Sequence, residues 1–166
     1  MSAQRFRVGV LTLSDKGSRG EREDESGRLL GEMIVPFGDL SRYQVIPDEL
    51  ETIVLLLTRW VDDLHLDLIL TTGGTGLSPR DRTPQATEKV IDYQVPGMAE
   101  AMRNASLDKT PHAMISRAMV GVRKQTLIVN LPGSPKGAQE NFAVLLPALP
   151  HALAKLKGDQ GDCARI

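Results

Sequence analysis

The residues from Thr71 to Pro84, Thr-Thr-Gly-Gly-Thr-Gly-Leu-Ser-Pro-Arg-Asp-Arg-Thr-Pro, carry the densest chemistry in this chain. Gly73, Gly74 and Gly76 let the backbone approach a ligand closely, with N–H groups turned outward. Thr72, Thr75 and Ser78 add hydroxyls, and Asp81 places a carboxylate between Arg80 and Arg82. The apolar run from Leu66 to Leu70 precedes the loop and reads as a buried strand. Thr83-Pro84 closes it, reading as an N-cap followed by proline at the first helical position. Strand, glycine-hydroxyl loop, Arg-Asp-Arg and helix together point to a phosphate or nucleotide site at the carboxyl end of a strand. A tight turn without a ligand needs fewer glycines, hydroxyls and charges than stand here.

Two common phosphate loops are excluded by spelling. No Gly-x-x-x-x-Gly-Lys-Ser/Thr run occurs, which argues against a P-loop nucleotidase. In Gly74-Thr75-Gly76-Leu77-Ser78-Pro79 a proline stands where a dinucleotide fingerprint needs its last glycine. A second glycine loop, Asn130-Leu131-Pro132-Gly133-Ser134-Pro135-Lys136-Gly137, follows another apolar run. Ser134-Pro135 reads as a cap and first helical residue, pointing a helix N-terminus at an anion with Lys136 beside it. Alone it is as much a helix start as a site, but two such loops in one sheet are expected to share a cleft.

Other candidates carry plain structural readings as well. Asp48, with Glu51 three residues on, fits a capping box for the helix that follows. Asp81 fits a local turn bond. Asp24 and Ser26 fit either a helix start or a ligand contact. Arg117 falls on a stretch read as helical, where an arginine is ordinarily solvated or ion-paired. Trp60, Met98, Met102 and Met114 read as packing residues. His65, His112 and His151 show no metal-ligand spacing.

The elements that must position these residues follow from periodicity. Strands are expected over 6–13, 43–46, 66–70 and 126–130. Helices are expected from Asp24 to about Val35, over 50–64, and near 84–92, 97–108 and 112–122. A last helix is expected from Pro135 to about Lys157, kinked near Pro147 and Pro150. Leu50, Ile53, Val54, Leu57, Trp60, Val61 and Leu64 form the clearest apolar helical face. Apolar strands alternating with helices predict an α/β fold, a mostly parallel sheet covered by helices on both faces.

The totals agree with one domain over residues 1–166, 41% hydrophobic and 25% charged. A net charge of −1 gives no electrostatic draw toward nucleic acid or an anionic membrane. The first residues hold no long apolar signal region, and no run approaches a membrane-spanning length. A cytoplasmic location is expected. Cys163 is the single cysteine, so no internal disulfide forms.

The motif from Thr71 to Pro84, the loop from Asn130 to Lys136, Leu13-Ser14-Asp15 and Asp24-Glu25-Ser26-Gly27 together resemble the molybdopterin adenylyltransferase family. That family includes bacterial molybdenum-cofactor enzymes and the G domains of gephyrin-like proteins, and the resemblance covers residues 6 to about 157. It implies a three-layer α/β/α sandwich, usually trimeric, that transfers AMP from ATP to molybdopterin with release of pyrophosphate. It places the family's two important aspartates on Asp48 and Asp81, as catalytic groups and as ligands for Mg²⁺. Ser14, Thr72, Gly73, Gly74, Thr75, Gly76 and Ser78 are then expected to bind ligand, with the Gly73–Gly76 loop at the ATP end. Pro132, Gly133, Ser134 and Lys136 are expected on the pterin end. Handover to a molybdenum-insertion protein is a further implied partnership. Two other classes stay open: a carrier that binds molybdopterin without adenylylating it, and an unrelated nucleotide-binding regulator.

Overall fold

A computed structural model describes residues 5–161, so Cys163 lies outside the described residues. In chain order the elements are β1 (Phe6–Leu13), α1 (Asp15–Ser18), α2 (Glu25–Met33), β2 (Gly38–Ile46), α3 (Leu50–Asp62), β3 (Leu68–Thr72), α4 (Thr83–Val90), β4 (Tyr93–Gln94) and α5 (Pro96–Leu107). A 3-10 turn (Pro111–Ile115), β5 (Val120–Arg123), β6 (Thr126–Leu131), α6 (Pro135–Leu145) and α7 (Leu149–Leu156) complete the chain. One sheet holds all the strands in the order β2-β1-β3-β6-β5-β4. β2, β1, β3 and β6 run parallel, while β5 and β4 join antiparallel.

Strand side chains alternate between two separate cores, as a sheet covered on both faces requires. Leu68 and Leu70 of β3 pack with Leu30, Met102, Phe142 and Leu153, drawn from α2, α5, α6 and α7. Ile69 packs the other way, with Ile53, Leu57, Trp60 and Val90 of α3 and α4. The three-layer sandwich with a mostly parallel sheet is therefore what the chain forms. The apolar face read on α3 is the buried one, and Trp60 is 3% exposed.

Four expectations change. Residues 112–122 are not a helix: a 3-10 turn ends at Ile115, and β5 then pairs with β6 through a tight turn after Arg123. The β-branched Val120 and Val122 gain their partners only from that neighbouring strand, which periodicity within a segment does not register. β2 begins at Gly38 rather than Tyr43, because its polar first half is an exposed sheet edge. The last helix is two helices, broken around Pro147, whose missing N–H cannot continue the ladder. Met114 is 67% exposed and takes no part in the core.

The adjacent carboxyl ends of β1, β3 and β6 set the place of the site. α2, which follows β1, and α4, which follows β3, pack on opposite faces of the sheet, which opens a crevice between β1 and β3.

Candidate active site

Three loops leave these strand ends and lock together. Gly73 and Gly74, just beyond β3, have φ of 104° and 67°, in the left-handed region that disfavours side chains. A Cβ on Gly73 would also overlap the Leu13 carbonyl oxygen at the end of β1. One on Gly74 would stand 2.8 Å from the Asp48 Oδ1. These glycines therefore seat the β3 loop between the β1 loop and Asp48, in addition to baring backbone. The Thr72 hydroxyl donates to the Pro132 carbonyl at 2.6 Å, and the Ser26 hydroxyl donates to the Gly133 carbonyl at 2.8 Å. Asp24 accepts from the Gly27 N–H at 3.0 Å, from the Thr12 hydroxyl at 2.6 Å and from the Tyr43 hydroxyl. So Thr72, Asp24 and Ser26 tie elements together at the cavity wall. Ser134 caps α6, accepting from Gly137 N–H at 3.1 Å, as its place before Pro135 predicts.

The locked loops surround a cavity of about 820 Å³. Ser14, Asp48, Thr72, Gly73, Gly74, Asp81, Gly133 and Ser134 all line it. The remaining expected residues lie elsewhere. Thr75, Gly76 and Pro132 border a second cavity of about 300 Å³, which shares Ser134 with the first. Ser78 borders a hollow of about 280 Å³ on the outer side of the loop, together with Asp81. Lys136 is exposed and borders neither the main cavity nor the one beside Thr75 and Gly76. Thr83 is not a cap: α4 starts at Thr83 after an uncapped Arg82, and the Thr83 hydroxyl donates instead to the Gly73 carbonyl at 2.9 Å.

Carboxylates dominate the electrostatics. Asp48 does not cap α3, because Glu49 holds the cap position and makes no side-chain cap bond. The Asp48 N–H donates to Asp15 Oδ1 at 3.1 Å, while Asp48 Oδ1 is buried with no hydrogen-bond partner. Burial, and then repulsion from Asp15 and Asp81, push the Asp48 carboxyl up to about 6, with Arg80 opposing them. Asp15 is held below the usual carboxylate range, first by the Arg80 guanidinium and then by the Asp48 N–H. Arg80 grips it with Nε at 3.0 Å from Oδ2 and Nη2 at 2.6 Å from Oδ1. Asp81 does make the local turn bond, accepting from Ser78 N–H at 3.0 Å through Oδ2, and still lines the main cavity.

A buried anionic oxygen without a donor is costly unless something positive meets it. A hard cation suits Asp48 Oδ1, and Asp81 lines the same cavity. Among the described residues no three His, Cys, Asp or Glu side chains gather as a metal cluster. A cation there would take its other oxygens from a ligand, which is how Mg²⁺ is held beside phosphates.

Asp15 was not among the expected site residues, although its place one residue beyond Ser14, at the carboxyl edge of β1, was a usable signal. Arg117 does not take the solvated or ion-paired role that its segment suggests. It is not on a helix, and it donates to loop carbonyls rather than to a carboxylate or to solvent.

Residues 9–151 match the family model described as a probable molybdopterin binding domain. The chain belongs to this molybdopterin-binding family. It is 46% identical over 158 residues to gephyrin of Dictyostelium discoideum, an alignment covering 88% of the chain and 22% of gephyrin. It is 40% identical over 159 residues to the molybdopterin adenylyltransferase of Helicobacter pylori, covering 94% of the chain and 90% of that enzyme. Among solved structures it is similar to the molybdopterin biosynthesis enzyme MoaB from Thermus thermophilus. The two superpose with a TM-score of 0.87 at 53% identity, covering 93% of the chain and 98% of MoaB. The chain thus spans about a fifth of gephyrin but nearly all of the bacterial proteins.

Proposed function

We infer that this chain is a molybdopterin adenylyltransferase. One observation carries the reading: both glycine loops and both family aspartates open on a single cavity, where the buried Asp48 Oδ1 is unpartnered. Relatives of that name, aligned over nearly the full chain, support it.

In this reaction an oxygen of the molybdopterin phosphate attacks the α-phosphorus of ATP. The bond from that phosphorus to the β-phosphate bridge breaks, and pyrophosphate leaves with the bonding electrons. Such a transfer depends on positioning and charge neutralisation, with no covalent nucleophile from the protein. Asp48 and Asp81 would hold Mg²⁺, which supplies positive charge to the triphosphate and to the departing pyrophosphate. Gly73 and Gly74 offer backbone at van der Waals range, and the capped N-terminus of α6 favours an anion beside Gly133 and Ser134. Ser134 borders both the main cavity and the neighbouring one beside Thr75 and Gly76, so nucleotide in the main cavity and pterin reaching toward its neighbour meet at this loop.

The same reading places the protein as a homotrimer that hands adenylylated pterin to a molybdenum-insertion step. Sedimentation at about three times the 18.1 kDa chain mass tests the trimer. Among the described residues no helix is long and apolar enough to cross a membrane. The deciding experiment incubates the protein with molybdopterin, ATP and Mg²⁺ and follows pyrophosphate and adenylylated pterin. Tight pterin binding with neither product would identify a carrier instead, and an absence of pterin binding would point to a nucleotide-binding regulator.

A further inference from the structure

We propose that Arg117 is the positioning residue that holds the Gly73–Asp81 loop, and with it Asp81, in the shape the reaction needs. The proposal rests on the adenylyltransferase reading of the main cavity. Arg117 lies between the 3-10 turn and β5, and it reaches three loop carbonyls. Its backbone N–H donates to Thr75 at 2.9 Å, its Nε to Gly76 at 2.8 Å and its Nη2 to Asp81 at 3.0 Å. These acceptors run from the glycine end of the loop to its acidic end. Nε and Nη2 form one edge of the planar guanidinium, so a single rigid fork sets the spacing between Gly76 and Asp81.

The loop's own bonds do not set that spacing. Thr83 closes the base of the loop, its N–H on the Gly74 carbonyl at 3.2 Å and its hydroxyl on the Gly73 carbonyl at 2.9 Å, but neither bond reaches Gly76 or Asp81. Asp81 N–H donates to the Ser78 carbonyl at 2.9 Å and Ser78 N–H to Asp81 Oδ2 at 3.0 Å, which closes only a local turn. Arg80 ties the loop to Asp15, but its side chain is 57% exposed, and an exposed pair adds little. Arg117 is part-buried and stands on a fixed base. The Ala118 carbonyl accepts from Arg103 Nη1 at 2.7 Å. The Met119 carbonyl accepts from the Asn130 N–H of β6 at 3.0 Å, and the Met119 N–H donates to the Asn130 side-chain Oδ1 at 3.3 Å. Buried Asn130 in turn donates to the hydroxyls of Thr71 and Thr87 at 3.0 and 2.9 Å. Arg117 thus transmits the register of β5 and β6 to a loop that leaves β3. Arg117 borders the outer hollow and not the main cavity, so it acts through the loop and touches no substrate there.

Wild type, R117K and R117A separate positioning from general stability. Each is measured for kcat and KM with ATP and molybdopterin, for melting temperature, and for Mn²⁺ binding by electron paramagnetic resonance, which needs no turnover. A lysine ammonium keeps the charge and can still meet a loop carbonyl, but it lacks the rigid planar fork that fixes the distance between two, so R117K is expected to melt within a few degrees of wild type. Its kcat should nevertheless fall about 30-fold and its Mn²⁺ affinity about tenfold, with KM for molybdopterin nearly unchanged. Guanidinium at about 20 mM should restore R117A about tenfold, because the free ion supplies the missing fork, and should leave R117K unimproved. R117K turnover and Mn²⁺ affinity within threefold of wild type would overturn the proposal, as would a folded R117A indifferent to guanidinium. If R117A does not fold, R117K decides alone. If wild type makes no adenylylated pterin, the functional reading fails, and Mn²⁺ binding by R117K still decides the role of Arg117.

Discussion

At the scale of the residue, Asp48 and Asp81 differ in what they cost the fold. The folded Asp48 carboxyl titrates near 6, against an ordinary 3.8, chiefly because it is buried. Between those values the folded protein holds a proton that the unfolded chain releases. Stability therefore falls as pH rises through that window, and the full cost applies above pH 6. Asp48→Asn should stabilise the ligand-free protein by about 1 kcal/mol at pH 8, after allowance for solvent screening, and by nothing near pH 4. Urea midpoints at the two pH values measure this, and an equal gain at both would remove charge as the cause. The same variant should lose activity, a trade of function against stability. Asp81 carries no such burden. Asp81→Asn keeps an oxygen for the Ser78 N–H but loses its charge, so turnover should fall about 100-fold with the melting temperature within about 2 °C of wild type. Normal turnover in this variant would mean that Asp81 serves only the turn.

At the scale of the element, the site is made where three loops cross, and the crossing depends on absent side chains. Gly73 combines a left-handed backbone with direct approach to the Leu13 carbonyl. Gly73→Ala should cost about 2 kcal/mol or more, because the new methyl meets backbone that cannot swing aside. Gly20 has φ of 74° but open space around it, so Gly20→Ala meets strain without overlap and should cost less. Chemical denaturation of the two variants compares them directly, and a Gly73→Ala protein as stable as Gly20→Ala would show that the loops do not need this close seat.

For the whole molecule, the site is a junction between β1, β3 and β6, so ligand binding should brace the fold globally. Saturating ATP with Mg²⁺, at about 100 times its dissociation constant, should add about 2.7 kcal/mol. That corresponds to a rise of roughly 5–10 °C in melting temperature for a chain of this size. ATP with chelator should give a smaller rise, and Asp48→Asn should erase the difference between the two conditions. A metal-independent shift in wild type would count against a cation between the aspartates and the phosphates.

What could be read from sequence alone is local in origin. Glycine backbone freedom, proline at helix starts and the spacing of apolar residues act within a few positions. Hence the glycine turn at Gly73 and Gly74, the capped start of α6 at Ser134 and the buried face of α3 were all legible before any folding. The family motif went further and brought Asp48 and Asp81 into one site, where the cavity does place them. Other roles are decided by distance in space. The capping box at Asp48 is a sound local option, yet Asp15, at the start of α1, accepts the Asp48 N–H, and Asp48 lines the cavity instead. Thr72 carried the same hydroxyl as Ser78, but β6 brings Pro132 within reach of Thr72 alone. Residues 117–123 became an anchor and a strand because β6 supplied hydrogen-bond partners that no helix would have used. Arg117 could not be read as the clamp of a loop some forty residues earlier, since only the sheet order puts them side by side. Backbone propensity is set residue by residue, whereas the partner of a buried polar group is set by whichever element the chain folds against it.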